Sequence, residues 1–523
     1  MSALFTGPLG QLHRWLRVAM LAWAGTTAAA PFDTVNEADF NLRKVAGKPK
    51  ADCEAFYSVT TSEVTVVSAR HMGDHCRVSG VLPAEIRFEV NLPDQWNGRM
   101  LMTGNGGLAG QPPEDKSYQA LRDHHLALGF ATVYTDTGHD NRVHPGGTFA
   151  HQRLDTLIDY GYRAVHLTSL ASKALIRNYY GKKIRYSYFM GCSNGGRQAL
   201  MEAQRFPEDF DGILAGAPAN DFTGLKFSQT QRMSALLAKP FTPEEVDVLA
   251  DHIYLRCDGS DGHVDGLLSD PRTCDFDPVQ HLPRCDGPDT VDCFDNEEVD
   301  ALVKYYAPVN LAGKQVYPAH PKGSEGRGPG YGGRVHSGWV PWIISESGRP
   351  IMDVLGADFF RYIVFTQDDP DYAWTDFDFS TPPDHLEYTR DILDAVNPDL
   401  SRFRDRGGKL LSYFGWADPD INPLTAIAYH DQVNAETQGE ANEFYRLFMV
   451  PGMFHCSGGP GPTHFDAMMP LIEWVEKGRA PKAITGYHKL DGEVVFSRPL
   501  CPWPQQAVYA EGDVKDASAW QCR

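Results

Sequence analysis

The run Ile184-Arg185-Tyr186-Ser187-Tyr188-Phe189-Met190-Gly191-Cys192-Ser193-Asn194-Gly195-Gly196-Arg197-Gln198-Ala199-Leu200-Met201-Glu202-Ala203-Gln204-Arg205 decides the fold. Ile184 to Met190 reads as a strand and Arg197 to Arg205 as a helix. Between them, Gly191-Cys192-Ser193-Asn194-Gly195-Gly196 has to reverse the chain within a few residues. So sharp a turn crowds backbone against backbone, glycines relieve the crowding, and the Ser193 hydroxyl is left projecting from the sheet edge. An ordinary glycine turn also satisfies the bare G-x-S-x-G spacing. The strand-turn-helix context is what makes Ser193 a candidate nucleophile.

Working outward, short apolar alternations at Val64–Val67 and Ile86–Val90 precede a Gly-rich turn, Thr103 to Gly110. Leu128 to Tyr134 reads as a buried strand, Leu154 to Tyr179 has helical spacing, and Phe210 to Ala217 reads as a strand that stops at Pro218. This alternation predicts an α/β fold with a mostly parallel sheet covered on both faces. The rhythm breaks between about 221 and 400, a region rich in Gly, Pro, Asp and aromatic residues, and resumes at Lys409–Phe414 and Phe444–Val450. The expected organisation is a catalytic domain made of 31–220 and 401–523, interrupted by a lid domain over 221–400.

A serine nucleophile needs a base, and the base needs an orienting acid; in α/β-hydrolases these follow in the order Ser, Asp, His from loops after later strands. Here Gly415-Trp416-Ala417-Asp418-Pro419-Asp420 follows one predicted strand, and Pro451-Gly452-Met453-Phe454-His455-Cys456 follows the next. Asp418 and His455 are the candidates, with Asp420 competing for the acid role. Cys192 precedes Ser193 and Cys456 follows His455, so if serine and histidine are neighbours the two thiols come within bridging distance; the other reading pairs each elsewhere. Cys192 as nucleophile is the weaker alternative, since an exported thiol with a partner is oxidised. For the oxyanion, the backbone N–H of Asn194 is one expected donor and that of Gly106 or Gly107 the other.

The chain has 523 residues, 48 basic and 68 acidic, for a formal charge of −20. It carries no Lys/Arg-rich stripe, which excludes nucleic acid as the expected partner. Residues 1–30 read as an export signal: Arg14 and Arg17, an apolar run from Val18 to Gly25, then small residues ending at Ala30. No segment has the roughly 18 apolar residues of a membrane span, so the expected product is secreted or periplasmic and makes no membrane contact. Ten cysteines without a C-x-x-C pair fit five structural disulfides.

Within the predicted lid, Cys257-Asp258-Gly259-Ser260-Asp261-Gly262-His263-Val264-Asp265-Gly266-Leu267 crowds three carboxylates into one loop. Like charges so close call for a cation, and hard oxygen donors in a flexible loop suit Ca²⁺. The expected ligands are the side chains of Asp258, Asp261 and Asp265 with the carbonyls of His263 and Leu267. A solvated acidic turn is the other reading.

Tyr162-Arg163-Ala164-Val165-His166, Gly191 to Gln198, and Gln204-Arg205-Phe206-Pro207-Glu208-Asp209-Phe210-Asp211-Gly212 resemble the tannase/feruloyl esterase family. The resemblance extends through the acidic loop, Gly415–Asp418 and Gly452–Cys456. It implies an α/β-hydrolase core with an inserted lid, a triad of Ser193, Asp418 and His455, structural calcium and no organic cofactor. The disulfides it implies are Cys53–Cys76, Cys192–Cys456, Cys257–Cys274, Cys285–Cys293 and Cys501–Cys522. The expected function is a secreted serine carboxylesterase acting on aromatic acyl esters, feruloyl or galloyl. The alternatives are hydrolysis of terephthalate monoesters, as in the family's MHETase-like members, or a non-catalytic polyphenol-binding module. Trp339, Trp342, Arg361 and Phe365 are the candidate substrate contacts, Arg361 with Phe365 resembling a carboxylate-holding arrangement.

Overall fold

The computed structural model describes Leu42 and residues 44–286, 290–330, 333–346 and 348–523. The predicted export signal lies outside the described residues. Nine strands form one sheet: β1 (Thr65–His71), β2 (His75–Leu82), β3 (Ile86–Pro93), β4 (Arg99–Thr103), β5 (Ala131–Thr135), β6 (Tyr186–Cys192), β7 (Gly212–Gly216), β8 (Lys409–Gly415) and β9 (Tyr445–Val450). Their order across the sheet is β1-β2-β3-β5-β4-β6-β7-β8-β9. The first four strands in that order pair antiparallel; from β5 to β9 every pairing is parallel.

The parallel part is apolar along both faces, because helices cover it on both sides. Every residue of β5 and β7 is buried. Glycine lets β7 lie close to its neighbours: a Cβ on Gly212 would meet the Tyr188 ring at 2.7 Å, and one on Gly216 would meet the Tyr413 ring at 2.4 Å. The architecture is the mostly parallel sheet expected from the alternation of elements, in the α/β-hydrolase arrangement that the resemblance implies.

Two local differences from the expected elements have physical causes. The helix after Ser193 begins at Asn194 rather than Arg197, since the turn closes on Ser193 itself. The predicted helix Leu154–Tyr179 is interrupted by a π-helical turn, Asp159–Arg163, before Ala164–Tyr180 continues. Gly161 sits in that turn, and a Cβ there would meet the Ile392 carbonyl at 2.7 Å, so the extra residue accommodates a neighbouring backbone.

Between β7 and β8 no strand among the described residues joins the nine-stranded sheet. This insertion carries helices Phe222–Ala238, Pro243–Cys257, Asn296–Tyr306 and Ile351–Tyr362 with two small antiparallel pairs. Two of its helices start with a capping box, Thr242 with Glu245 and Asp295 with Glu298, which satisfies N–H groups that a helix start leaves unbonded. Five disulfides, Cys53–Cys76, Cys192–Cys456, Cys257–Cys274, Cys285–Cys293 and Cys501–Cys522, use all ten cysteines.

Candidate active site

Ser193 follows the end of β6 with φ 63° and ψ −122°, a conformation that costs a residue with a side chain energy and persists only where the surroundings impose it. They do so from both flanks. A Cβ on Gly191 would lie 2.6 Å from the Gly195 carbonyl, and one on Gly196 would lie 2.3 Å from the Gly216 oxygen. The Ser193 N–H donates to Gly216 O at 3.0 Å, and its carbonyl accepts from Ala219 and Arg197 N–H. Ser193 stays partly exposed.

β8 and β9 end side by side, and their turns are laced together. Trp416 N–H donates to Val450 O at 2.9 Å and Ala417 N–H to Met453 O at 3.1 Å, and a Cβ on Gly415 would meet Met453 O at 2.2 Å. Within this frame His455 Nδ1 bonds Asp418 Oδ2 at 2.8 Å, both side chains being buried. Asp418 Oδ1 accepts from the backbone N–H of Asp420 and of Ile421, each at 2.9 Å, so the carboxylate cannot swing away. Asp420 is held elsewhere, accepting from Gln229 Nε2 at 2.6 Å; the geometry therefore pairs Asp418, not Asp420, with the imidazole.

Burial disfavours the imidazolium, but the charge and hydrogen bond of Asp418, with the charge of Asp420, outweigh it and raise the pKa of His455 above the ordinary value. For Asp420 burial dominates and raises its pKa despite His455, Lys226 and Gln229. Cys192–Cys456, with Cα atoms 6.0 Å apart, bridges the residue before Ser193 to the residue after His455 across 264 positions of sequence. The Trp342 and His455 rings meet in a T-shaped arrangement, centroids 4.6 Å apart.

The Gly-rich turn runs beside the helix that follows Ser193. Asn105 N–H donates to Gln198 Oε1 at 2.9 Å, and a Cβ on Gly106 or Gly107 would meet open space. The N–H groups of Gly106 and Gly107 have no protein acceptor among the described residues, and neither has that of Asn194, at the start of its helix. Three donors of the expected kind are thus unspent near Ser193.

The predicted substrate contacts separate. Trp342 stands at the histidine. Trp339 is a core residue, 0% exposed, its indole donating to Ser324 Oγ at 3.0 Å and its ring against Tyr305; a side chain without accessible surface offers a substrate no face, which corrects that expectation. Arg361 and Phe365 lie together around Tyr372, Arg361 Nε donating to Tyr372 O at 3.3 Å and Phe365 packing on the Tyr372 ring. Among the described residues no carboxylate lies within ion-pair distance of Arg361.

The acidic loop carries three carboxylates, but among the described residues Asp258, Asp261 and Asp265 are not drawn together into one ligand cluster. Asp258 is buried, and only the backbone N–H groups of Asp265 and Gly266 meet its carboxylate, at 3.2 and 2.9 Å. A buried carboxylate without a cationic partner fits a divalent ion. Asp261 accepts from His263 N–H and Ser269 Oγ, while Asp265 pairs with Arg498 at 2.9 Å, so an ion there would share Asp265 with that guanidinium. The His263 ring packs near Tyr509 and Trp520. Leu267 reaches the histidine-bearing turn: its Cδ2 would lie 2.9 Å from a Cβ on Gly452. The loop is distant from His455 in sequence but abuts its turn in space.

Several supporting residues carry no local sequence signal. Arg232 donates to the carbonyls of Pro419 and Asp420 at 2.7 and 3.2 Å, nearly 190 positions away, and bolts down the Asp418 turn. The described residues do bring together one group of possible metal ligands: His166 on the helix Ala164–Tyr180, Glu202 on the helix Asn194–Arg205 and Asp209 in the turn that follows. Lys173 Nζ lies 3.6 Å from Asp209 and supplies positive charge there, while burial and the neighbouring Asp209 raise the pKa of Glu202.

The family model of tannase and feruloyl esterase matches residues 68–523. Mono(2-hydroxyethyl) terephthalate hydrolase of Piscinibacter sakaiensis is 34% identical, covering 87% of this chain and 86% of that protein. Probable feruloyl esterase B-1 of Aspergillus flavus is 32% identical over 86% of each chain. Among solved structures, feruloyl esterase B from Aspergillus oryzae superposes with a TM-score of 0.76 at 27% identity, covering 90% of this chain and 99% of that one. Together with the strand-end geometry, these matches show that the chain belongs to the tannase and feruloyl esterase family and is a carboxylic ester hydrolase.

Proposed function

We propose that this protein is a secreted serine esterase that cleaves esters of aromatic acids through an acyl-enzyme. The observation that carries the reading is the 2.8 Å His455–Asp418 pair, tied by a disulfide to a Ser193 held in a strained turn. Asp418 occupies Nδ1, so His455 presents Nε2 as the base. Ser193 Oγ gives its proton to Nε2 as it attacks the ester carbonyl. The developing oxyanion is met by backbone N–H groups of Asn194 and the Gly106–Gly107 turn. The imidazolium, stabilised by Asp418, then protonates the leaving alcohol. Water, activated by the same histidine, releases the aromatic acid and restores Ser193.

Relatives that act on feruloyl esters and on a terephthalate monoester support an aromatic acyl group as the substrate class. Feruloyl or galloyl esters are the first reading. Hydrolysis of terephthalate monoesters is the second, favoured by the 34% identity to a mono(2-hydroxyethyl) terephthalate hydrolase. In the acidic loop, Asp258, Asp261 and Asp265 with the carbonyls of His263 and Leu267 would hold calcium, which supplies charge balance and rigidity rather than chemistry.

Ser193→Ala, checked for folding, tested with methyl ferulate, methyl gallate, mono(2-hydroxyethyl) terephthalate and a nitrophenyl ester, decides the mechanism and the substrate class together. Turnover of all four should fall by at least a thousandfold; retained turnover overturns the serine mechanism. If wild-type protein binds these esters without releasing product, it is a binding module on a hydrolase scaffold.

A further inference from the structure

Peptide geometry distinguishes the two glycine donors. In a trans peptide the C=O of one residue and the N–H of the next point in opposite directions, so whatever grips the carbonyl also aims the amide. The Gly106 N–H shares its peptide plane with Asn105 O, and that oxygen accepts from Asn194 Nδ2 at 3.2 Å. Asn194 is the residue whose own backbone N–H is the other expected oxyanion donor. One residue thus contributes a donor through its main chain and, through its side chain, grips the plane that carries the second.

The orientation of that side-chain amide is itself imposed. Arg197, one helical turn along, donates from Nε to Asn194 Oδ1 at 2.9 Å. A guanidinium can only donate, so the amide oxygen must face it, and the NH₂ is left for Asn105 O. Arg197 is 0% exposed and fixed by three further bonds, to the carbonyls of Tyr160 at 3.0 Å, Gly161 at 2.9 Å and Leu393 at 3.1 Å. Its guanidinium also stands 4.8 Å over the Tyr160 ring. Two of the carbonyl acceptors belong to the π-helical turn Asp159–Arg163, and the Tyr160 hydroxyl from that same turn donates to Gly107 O at 3.1 Å. The Gly107 N–H belongs to a different plane, whose carbonyl, Gly106 O, is held by Ala109 N–H and Gln111 Nε2 within the turn itself.

We infer that Asn194 and Arg197 are positioning residues for the oxyanion pocket: Arg197 orients the Asn194 amide, and the amide, by gripping Asn105 O, aims the Gly106 N–H as the second donor beside the Asn194 N–H. The inference rests on the serine-esterase reading. It assigns a function to a fully buried arginine that has no carboxylate within ion-pair distance among the described residues, Asp394 acting on it only from further away.

Asn194→Asp is the informative substitution. It keeps the size of the side chain and an acceptor for Arg197, but replaces the donor facing Asn105 O with a second acceptor, which repels the carbonyl and turns the peptide plane. With a nitrophenyl ester, kcat should fall tenfold to a hundredfold, short of the full cost of deleting an oxyanion donor, and KM should stay within about twofold. Affinity for an aryl boronic acid, which forms a tetrahedral adduct on Ser193, should fall in step with kcat, while affinity for the product acid stays unchanged. Arg197→Lys should reproduce the split in weaker form. If Asn194→Asp does not fold, Asn194→Ala and Asn194→Ser also remove the donor and carry the same test. Unchanged kcat and boronate affinity in a folded variant overturn the inference, as do equal losses for boronate and product, which indicate general damage. Ser193→Ala in the same series separates the two levels: if it is inactive while the Asn194 variants are normal, the serine reading stands and the positioning role falls.

Discussion

The ends of β6, β8 and β9 hold their side chains largely by close backbone contacts, within a turn and between neighbouring strand ends, whereas the insertion between β7 and β8 holds its aromatic residues by side-chain packing. At the strand ends, Gly191, Gly196 and Gly415 have no room for a Cβ. Asp418 is gripped by N–H groups two and three residues away. In the insertion, Trp339, Trp342, Arg361 and Phe365 come from similar aromatic-rich sequence and end in different surroundings, Trp339 in the core, Trp342 at His455, and Arg361 with Phe365 around Tyr372. Local constraint fixes the chemistry, while the fate of each aromatic residue depends on distant partners.

The largest effect that would break this contrast lies at Asp418. Asp418→Asn should lower kcat by about 10³ to 10⁴-fold, because the wrong imidazole tautomer then faces Ser193, whereas Asp420→Asn, which still accepts from Gln229, should cost no more than about tenfold. Because His455 must be neutral to act and its pKa is raised, the acid limb of kcat/KM in the native protein should lie above the ~6.5 of free imidazole. Asp418→Asn removes the main raising influence and should shift the limb to lower pH. Equal losses in the two variants would mean that the carboxylates share the role.

Chelation tests the other side of the comparison. If calcium seats in the Asp258–Leu267 loop, removing it forfeits RT ln(1 + [L]/Kd), about 2.7 kcal/mol at a hundredfold excess. The melting temperature should drop while turnover well below melting persists. Unchanged melting together with no calcium on elemental analysis makes the loop an acidic turn. Immediate loss of turnover without loss of structure would mean that the contact of Leu267 with the Gly452 turn transmits the ion's effect to His455.

The smallest effect lies where the regions join. Asp221, after β7, and Asp394, before β8, are neighbouring, half-buried carboxyls, with Arg390 Nε 4.0 Å from Asp394. Burial and the Asp221 charge raise the pKa of Asp394 against hydrogen bonds from Thr223 and the charge of Arg390, and burial raises that of Asp221. Both are raised above the ~3.9 of an unfolded aspartate, so their contribution is fully present below about pH 4 and lost as pH rises through the raised folded-state values. Asp394→Asn should flatten the fall in melting temperature between pH 5 and pH 9, by an amount on the order of 1 kcal/mol. Parallel melting curves for the two proteins would show that the junction does not titrate.

Residue order by itself determined the sheet rhythm, the elbow around Ser193, the strand-end positions of Asp418 and His455 and the break in the sheet after Phe210–Ala217. Each depends on periodicity or on glycine within a few residues, and those signals are local. Only the tertiary structure paired Asp418 rather than Asp420 with His455, buried Trp339, set Trp342 against His455 and brought Arg232 and Leu267 to the Asp418 and His455 turns. It also singled out Arg197, which in sequence is one more helical cation and in space holds Asn194. These outcomes depend on contacts between residues tens to hundreds of positions apart, and no local pattern of residue types encodes which of several chemically equivalent side chains the packed chain brings together.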